Sequence, residues 1–310
     1  MAQHVVVGAG GIGRAAARHL VERGHEVVMA TRSGTDPGLP GVRAVAVDAA
    51  DASSLAAAAA GADSIVNAVN PSRYYTWEKD WPPVAAALLA AAEATGAGLV
   101  TVSNLYPYGP VDAPMTEATP LRPGGAKGRV RATMWEDALA AHEAGRVRAT
   151  ELRASDYFGP GAGAGVSLLN SFVLGRAAAG KSVWLIKGGA DVPHAWTYLD
   201  DIGLLAAVLA TDERSWGRAW HVPTVEARTV REVAADAAAL GGHPAPAVRP
   251  MPGIVKALAR VSATVRELDE TAYQFERPFL LDSSLTEQTF ELQPTPWDTA
   301  LKATLDALHD

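Results

Sequence analysis

Residues His4 to Leu20, HVVVGAGGIGRAAARHL, constrain the fold more than any other stretch of this chain. Three consecutive valines, Val5 to Val7, favour a buried strand, and the Ala/Arg/Leu run after Gly13 favours a helix. Between them, Gly8-Ala9-Gly10-Gly11-Ile12-Gly13 leaves room only for a tight turn. Such a turn aims unpaired N–H groups and the positive end of the helix dipole at one point, which suits a pyrophosphate. Gly8 permits the turn, Gly10 lets the backbone approach the phosphates, and Gly13 lets helix and strand pack closely, with Gly11 and Ile12 completing the cradle. The stretch predicts a strand, turn and helix that bind a dinucleotide.

Gly24-His25 ends the first helix, and Glu26 to Thr31 (EVVMAT) reads as a second strand. Arg32 and Ser33 follow where a dinucleotide fold presents its ribose-reading residue. An Asp or Glu there binds the 2′-hydroxyl of NAD, whereas Arg32, with Ser33 or Thr31, suits a 2′-phosphate. The expectation is NADP(H) in preference to NAD(H), with a solvated loop arginine as the alternative. A Gly/Pro loop, Gly34 to Gly41, leads to a third strand, Val42 to Val47, ending at Asp48. Asp48 is expected either against the adenine amino group or as a helix N-cap. Ser53 to Ala60 reads as a short helix and Ser64 to Val69 as a fourth, buried strand. Asn67, Ala68 and Asn70 thus stand at a strand's carboxyl end, where open α/β sheets bind ligands; turn chemistry is the alternative for the two asparagines.

The run SRYYTWEKDWPP, from Ser72 to Pro83, is the richest in aromatic residues. Tyr74, Tyr75, Trp77 and Trp81 are expected on a loop leaving the sheet's carboxyl edge. They form either a cap over the core or one wall of an apolar substrate pocket, with Tyr74 and Trp77 as the pocket candidates. A helix from Val84 to Thr95 and a fifth strand from Leu99 to Val102 lead into Ser103-Asn104-Leu105-Tyr106-Pro107-Tyr108-Gly109. Strand and helix alternate, the pattern of a parallel sheet covered on both faces.

The glycine turn, the strand ending in Asn67-Ala68, and the fifth strand running into Ser103 and Tyr108-Gly109 resemble the extended short-chain dehydrogenase/reductases, a superfamily of epimerases, dehydratases and reductases. Leu152 to Gly161 (LRASDYFGPG) resembles its R-x-x-x-x-Y-G-P-G element, and His194 to Ile202 (HAWTYLDDI) its F-V-H-V-D-D element. The resemblance runs through most of the chain and is weakest after about Arg249. It implies an α/β fold, a doubly wound Rossmann-type parallel sheet with a smaller, mostly helical C-terminal substrate lobe. The expected division is a dinucleotide-binding domain over 1–160, with about 181–225 returning to it, and a substrate lobe over 161–310. The resemblance further implies Ser103 or Asn104 as the group that hydrogen-bonds a substrate carbonyl. It suggests Tyr157, Phe158 and His194 as pocket residues, a structural role being the alternative for His194, and it leaves a homodimer open.

The superfamily's Tyr-x-x-x-Lys is absent, because Pro120 to His142 (PLRPGGAKGRVRATMWEDALAAH) contains no tyrosine. What this region offers is Lys127 and Arg131, four apart on one helix face. That Lys-x-x-x-Arg resembles the isoflavone-reductase-like branch, which carries a catalytic lysine before an arginine. Three readings stand. Lys127 is the acid/base, with Arg131 as electrostatic partner or phosphate contact; Tyr106 or Tyr108 supplies a phenol; or the two cations are a helix-end pair in a fold that binds cofactor without turnover.

Later segments are expected to add a sixth strand over Val147 to Ala154 and a mobile glycine rim or linker over Gly159 to Gly165. A helix over Val166 to Ala179 and a strand over Ser182 to Ile186 follow. Asp200-Asp201 suit the capped start of a helix running to Ala210. Thr229 to Leu240 reads as a helix, two or three small helices follow Met251, and Pro294 to Trp297 starts the last helix. Tyr273 and Phe275 could floor the pocket. With no cysteine, disulfides, cysteine-ligated metals and thiol catalysis are excluded, and the His/Asp/Asp cluster at 194–201 lacks further ligands at metal spacing. A net charge of -7 argues against a nucleic-acid or anionic-membrane partner, and no signal-peptide or bilayer-length run is found, so the expected location is cytoplasmic. The whole predicts an NADP(H)-dependent oxidoreductase acting on a carbonyl or conjugated double bond of a small or medium organic substrate, with Lys127 handling the proton. Epimerase or dehydratase chemistry, or a non-catalytic NADP(H)-binding sensor, stays open.

Overall fold

The computed structural model of the chain describes residues 1–71, 73–163, 166–185, 188–251 and 269–309, and of Tyr74 and His309 the backbone alone. The small helices expected after Met251, the Ala164-Gly165 part of the glycine rim and Ile186 lie outside the described residues.

Seven parallel strands form the centre. Six come from the first half: β1 (Gln3–Val7), β2 (Glu26–Thr31), β3 (Val42–Ala46), β4 (Ser64–Asn67), β5 (Gly98–Asn104) and β6 (Ala149–Ala154). The seventh, Ala219–His221, pairs with β6 at the edge, giving the order Ala219–His221, β6, β5, β4, β1, β2, β3. This is the Rossmann-type doubly wound α/β sheet. The order runs outward in both directions from the β1–β4 pair, so a crevice opens there at the carboxyl ends of the strands.

Successive side chains of a strand face opposite layers, and β1 divides accordingly. Val6 joins Val66, Val100 and Leu152 against α1 (Gly11–Glu22) and the helix Leu199–Thr211. Val5 and Val7 join Ile65 and Leu99 on the other face, beneath α2 (Ala52–Ala58), α3 (Trp77–Thr95) and α4 (Ala126–Glu143). A third core, with Leu174, Trp196, Val233 and Leu301, holds the later helices together.

Two local expectations are corrected. The aromatic run is not a loop, because α3 begins at Trp77 and continues through Pro82 and Pro83. Trp77 and Trp81 lie one turn apart and both are buried, so tertiary anchoring outweighs the two backbone donors that the prolines lack. Asp200 and Asp201 lie in the first turn of their helix but make no side-chain cap. Asp200 instead binds Arg18 and His19 of α1. Asp201 accepts from the N–H and hydroxyl of Thr295 at 2.9 and 2.6 Å. Further on, the expected Val166–Ala179 helix is present as a π-helical stretch, Leu169–Leu174, running into Gly175–Ala178. Asn170 in that stretch donates to the Gly159 carbonyl at 2.9 Å. No helix among the described residues is long and apolar enough to cross a membrane.

Candidate active site

The glycine turn is built as its residues require. Gly8 donates its N–H to Ala30 of β2 at 2.9 Å with φ at +107°, a conformation closed to ordinary side chains. A Cβ on Gly13 would overlap the Gly8 carbonyl, and one on Gly11 would strike the Gly161 carbonyl. Gly10 is the exception, since a Cβ there would meet nothing within 4 Å. Gly10 is also the N-cap of α1, with no side-chain cap and no acidic residue in the first turn. Helix geometry leaves that turn's N–H groups without intrahelical partners, and they open on the space beside Gly10. An open cradle, unpaired donors and a positive helix end fit a dinucleotide pyrophosphate.

Arg32 is exposed just past the end of β2, whose register with β1 brings it alongside the turn. Thr31 and Ser33 shape its loop: Thr31 Oγ1 accepts from the Gly34 N–H at 3.1 Å, and Ser33 Oγ from the Thr35 hydroxyl at 2.8 Å. Asp48 closes a small turn by accepting the Ala50 N–H at 3.0 Å, and α2 is capped by Asp51 instead. Asn67 is buried and accepts the Val69 N–H at 3.2 Å, which is turn chemistry at a strand end.

Beside the turn, at the carboxyl ends of β4, β5 and β6, lies a small open cleft of about 90 Å³. Ile12, Ala68, Asn70 and Trp77 form its near side, and Ser103, Asn104 and Tyr106 its floor. Ser155, Asp156, Tyr157, Gln274 and Phe279 face them from the segment just past β6 and the C-terminal part. Arg131 borders the cleft from α4. Its guanidinium lies 4.2 Å from the Trp81 ring and 5.1 Å from that of Trp77, and it donates to the Val102 carbonyl and the Asn70 amide oxygen at 3.2 and 3.3 Å. Stacking of this kind on a desolvated indole is worth about 0.5–2 kcal/mol. Tyr75 is half exposed, and the side chain of Tyr74 lies outside the described residues.

Ser103 is 5% exposed, with its hydroxyl hydrogen-bonded to the buried carboxyl of Glu151. Burial pushes that carboxyl upward in pKa against the pull of Arg153. Arg153 bonds Glu151 at 2.7 Å and the Tyr108 hydroxyl at 2.8 Å, and that hydroxyl meets His221 Nε2 at 2.7 Å. Tyr108 is therefore fully buried in a polar chain below the sheet's edge, away from the cleft lining, and burial raises its pKa further. Of the two phenols offered by the sequence, only Tyr106 borders the cleft.

Lys127 also stands off the cleft lining. It is 1% exposed in the first turn of α4, with Nζ 3.0 Å from Glu270 Oε2 and its N–H donated to Glu270 Oε1 at 2.7 Å. Phe158 packs on Tyr198 and Trp297 in the third core, outside the cleft lining. His194 is sandwiched between Trp196 and Phe275 behind Asp156, with Nε2 3.0 Å from Asp156 Oδ2. Sequence reasoning missed Ser155, Asp156, Gln274 and Glu270. The first two lie inside the LRASDYFGPG element and could have been read from it; Gln274 and Glu270 carry no sequence signal, because only folding brings them to this edge.

Residues 4–221 match the NAD dependent epimerase/dehydratase family. Among solved structures, the chain is similar to dTDP-glucose 4,6-dehydratase of Bacillus anthracis in complex with NAD, at 17% identity and TM-score 0.79, covering 100% of this chain and 97% of that one. It is similar to UDP-glucose 4-epimerase of Thermus thermophilus in complex with NAD, at 20% identity and TM-score 0.76, covering 99% of each. A dTDP-glucose 4,6-dehydratase variant of Streptomyces venezuelae with NAD bound is similar at 22% identity and TM-score 0.77, covering 100% of this chain and 97% of that one. Likeness at this level of identity carries the fold. No curated protein matches the chain.

Proposed function

The chain belongs to the NAD dependent epimerase/dehydratase family, and on that premise we propose that it is a nicotinamide-dependent enzyme that moves hydride to or from a carbon bearing a hydroxyl or carbonyl in a small organic substrate. The observation that carries this reading is the open glycine cradle at Gly10 beside a cleft floored by polar side chains. Gly8 to Gly13 would hold the pyrophosphate, and Ala68 and Ile12 the side nearest the cleft. A nicotinamide bound there supplies a hydride donor or acceptor.

The chain's own residues supply the rest. Ser103, buried at the cleft floor beside the Glu151 carboxyl, donates to a substrate oxygen and polarises its carbonyl, with Asn104 beside it. Tyr106 moves the proton, because it borders the cleft while Tyr108 and Lys127 do not. Arg131 holds the wall formed by Trp77 and Trp81 and fixes Asn70. Arg32 favours NADP(H) over NAD(H), since an exposed guanidinium past β2 suits a 2′-phosphate.

A second reading, a nicotinamide-binding sensor without turnover, is favoured by the ion pair between Lys127 and Glu270. Calorimetric titration with NADP⁺, NADPH, NAD⁺ and NADH, followed by dihydronicotinamide absorbance with a panel of alcohols and carbonyl compounds, separates the two. Cofactor binding with turnover that Tyr106→Phe abolishes supports the enzyme. Tight binding without turnover supports the sensor.

A further inference from the structure

We infer that Glu151 is a positioning residue kept as the neutral acid, which donates to Ser103 Oγ and so turns the hydroxyl's own hydrogen toward the cleft. The inference deepens the reading above and rests on its assignment of Ser103 as the donor to a substrate oxygen. A hydroxyl has a single hydrogen. Ser103, on the cleft lining, is hydrogen-bonded to the Glu151 carboxyl. An ionised Glu151 only accepts, so it would take that hydrogen and leave the cleft facing lone pairs. Ser103 gives to a substrate only while Glu151 supplies the hydrogen of their shared bond.

The surroundings of Glu151 suit the acid. It is buried on β6, where the register with β5 sets Thr101 beside it and Ser103 beside Arg153. Arg153 Nε donates to its Oε1 at 2.7 Å, a bond that the carbonyl oxygen of an acid accepts as a carboxylate does. The Arg153 charge does not rest on that carboxyl alone. Its Nη1 donates to the Tyr108 hydroxyl at 2.8 Å, and its guanidinium lies 4.9 and 5.9 Å from the rings of Tyr108 and Trp135. Beyond Tyr108 the hydrogens run away from Glu151. The Asp282 carbonyl, 2.8 Å from His221 Nδ1, only accepts, so Nδ1 carries a hydrogen and Nε2 takes that of the Tyr108 hydroxyl. Burial holds both groups neutral, raising Tyr108 and lowering His221, with Glu117 acting on the pair. The charges that face Glu151 are therefore Arg153 on its own strand and Arg131 on α4, and both favour the carboxylate. Burial opposes them, is the larger influence, and carries the carboxyl upward.

Infrared spectroscopy of the full chain, free of cofactor and at neutral pH, tests the protonation state directly. Subtracting the Glu151→Gln spectrum from the wild type should leave the carbonyl stretch of a protonated carboxyl, moved by exchange into heavy water. A carboxylate band in its place overturns the inference and leaves the enzyme reading standing. Where circular dichroism shows Glu151→Gln to be unfolded, Ser103→Ala decides. Loss of the acceptor should move the acid band to higher frequency, and an unmoved band overturns the inference. Reduction of the carbonyl panel gives a second readout. Wild-type kcat/KM should fall as alkali ionises Glu151, because the Ser103 hydrogen then turns to the carboxylate. Glu151→Gln, whose amide still gives to Ser103 and accepts from Arg153, should lose that alkaline fall. It should also keep most of the turnover that Glu151→Leu loses by about a hundredfold. An alkaline fall unchanged in Glu151→Gln overturns the inference. An acid band at Glu151 in a protein that turns over no carbonyl overturns the enzyme reading, and the positioning role with it.

Discussion

Lys127 and Arg131 stand one turn apart on α4, yet Lys127 Nζ closes on Glu270 at 3.0 Å while Arg131 lies 4.2 Å from Trp81 and borders the cleft. One helix face thus carries a structural tie and a site residue. Glu270→Gln keeps an acceptor for the Lys127 N–H but removes the charge beside Nζ. With Glu270 about a quarter exposed, a loss of about 1–2 kcal/mol is expected, well below that of a fully buried pair. Thermal denaturation should record a fall of several degrees, with cofactor affinity unchanged; an unaltered melting temperature would remove the tie from the argument.

Arg131→Met keeps length but loses the guanidinium that stacks on Trp81 and bonds Asn70. Turnover, measured as kcat/KM, should drop about tenfold or more. Arg131→Lys should not restore it, because an ammonium lacks the planar fork. Full activity in the lysine variant would reduce Arg131 to a simple charge.

Gly8 and Gly13 are fixed by crowding, while Gly10 faces open space. Gly10→Ala should therefore lower the melting temperature of the cofactor-free protein by only about one to three degrees, since alanine is a poorer N-cap than glycine by about 0.5–1 kcal/mol. Its Cβ would occupy the place a pyrophosphate needs, so cofactor affinity should fall about tenfold or more. Gly13→Ala should instead destabilise the fold itself. If Gly10→Ala bound cofactor normally, the cradle would lie elsewhere.

Arg32→Ala should weaken NADP⁺ about tenfold and leave NAD⁺ within about twofold. Equal effects on both cofactors, or none, would assign Arg32 to solvent.

Two buried groups set opposite limits on stability with pH. Desolvation pushes the Asp201 carboxyl up to about 6 from 3.8, so its contribution is fullest below the unfolded value and is lost as pH rises through 6. Burial beside His25 lowers His4 to about 4 from 6.5, so its contribution is present above 6.5 and is lost as pH falls through 4. Each shift corresponds to on the order of 3 kcal/mol. Asp201→Asn, which can still pair both ways with Thr295, should stabilise the protein more at pH 8 than at pH 5. Denaturant melts at the two pH values would show the difference, and an equal effect at both would contradict it.

The sheet was legible because its signals are local. Val5 to Val7, the three glycines and the strands at Glu26 and Ser64 need only periodicity and turn chemistry to be recognised. The two misjudged regions depend on distant partners. Pro82 and Pro83 read as the end of a loop, but burial of Trp77 and Trp81 under Arg131 extends the helix across them. Asp200-Asp201 read as caps because nothing nearby in sequence reveals Arg18, His19 or Thr295. The same limit governs the site. Ser103, Asn104 and Tyr106 follow a strand and could be placed, whereas whether Lys127 faces substrate or Glu270 is decided 143 residues away.

Trp77 sits at the cleft's edge with its Nε1 donated to the Pro71 carbonyl at 3.2 Å and a guanidinium 5.1 Å from its ring. An indole so placed is an optical gauge built into the chain. Its ultraviolet emission overlaps the absorption of a dihydronicotinamide, so a reduced cofactor arriving beside it would dim the tryptophan by energy transfer, while the oxidised form would leave that channel dark. Occupancy and redox state could then be followed in real time, without a label.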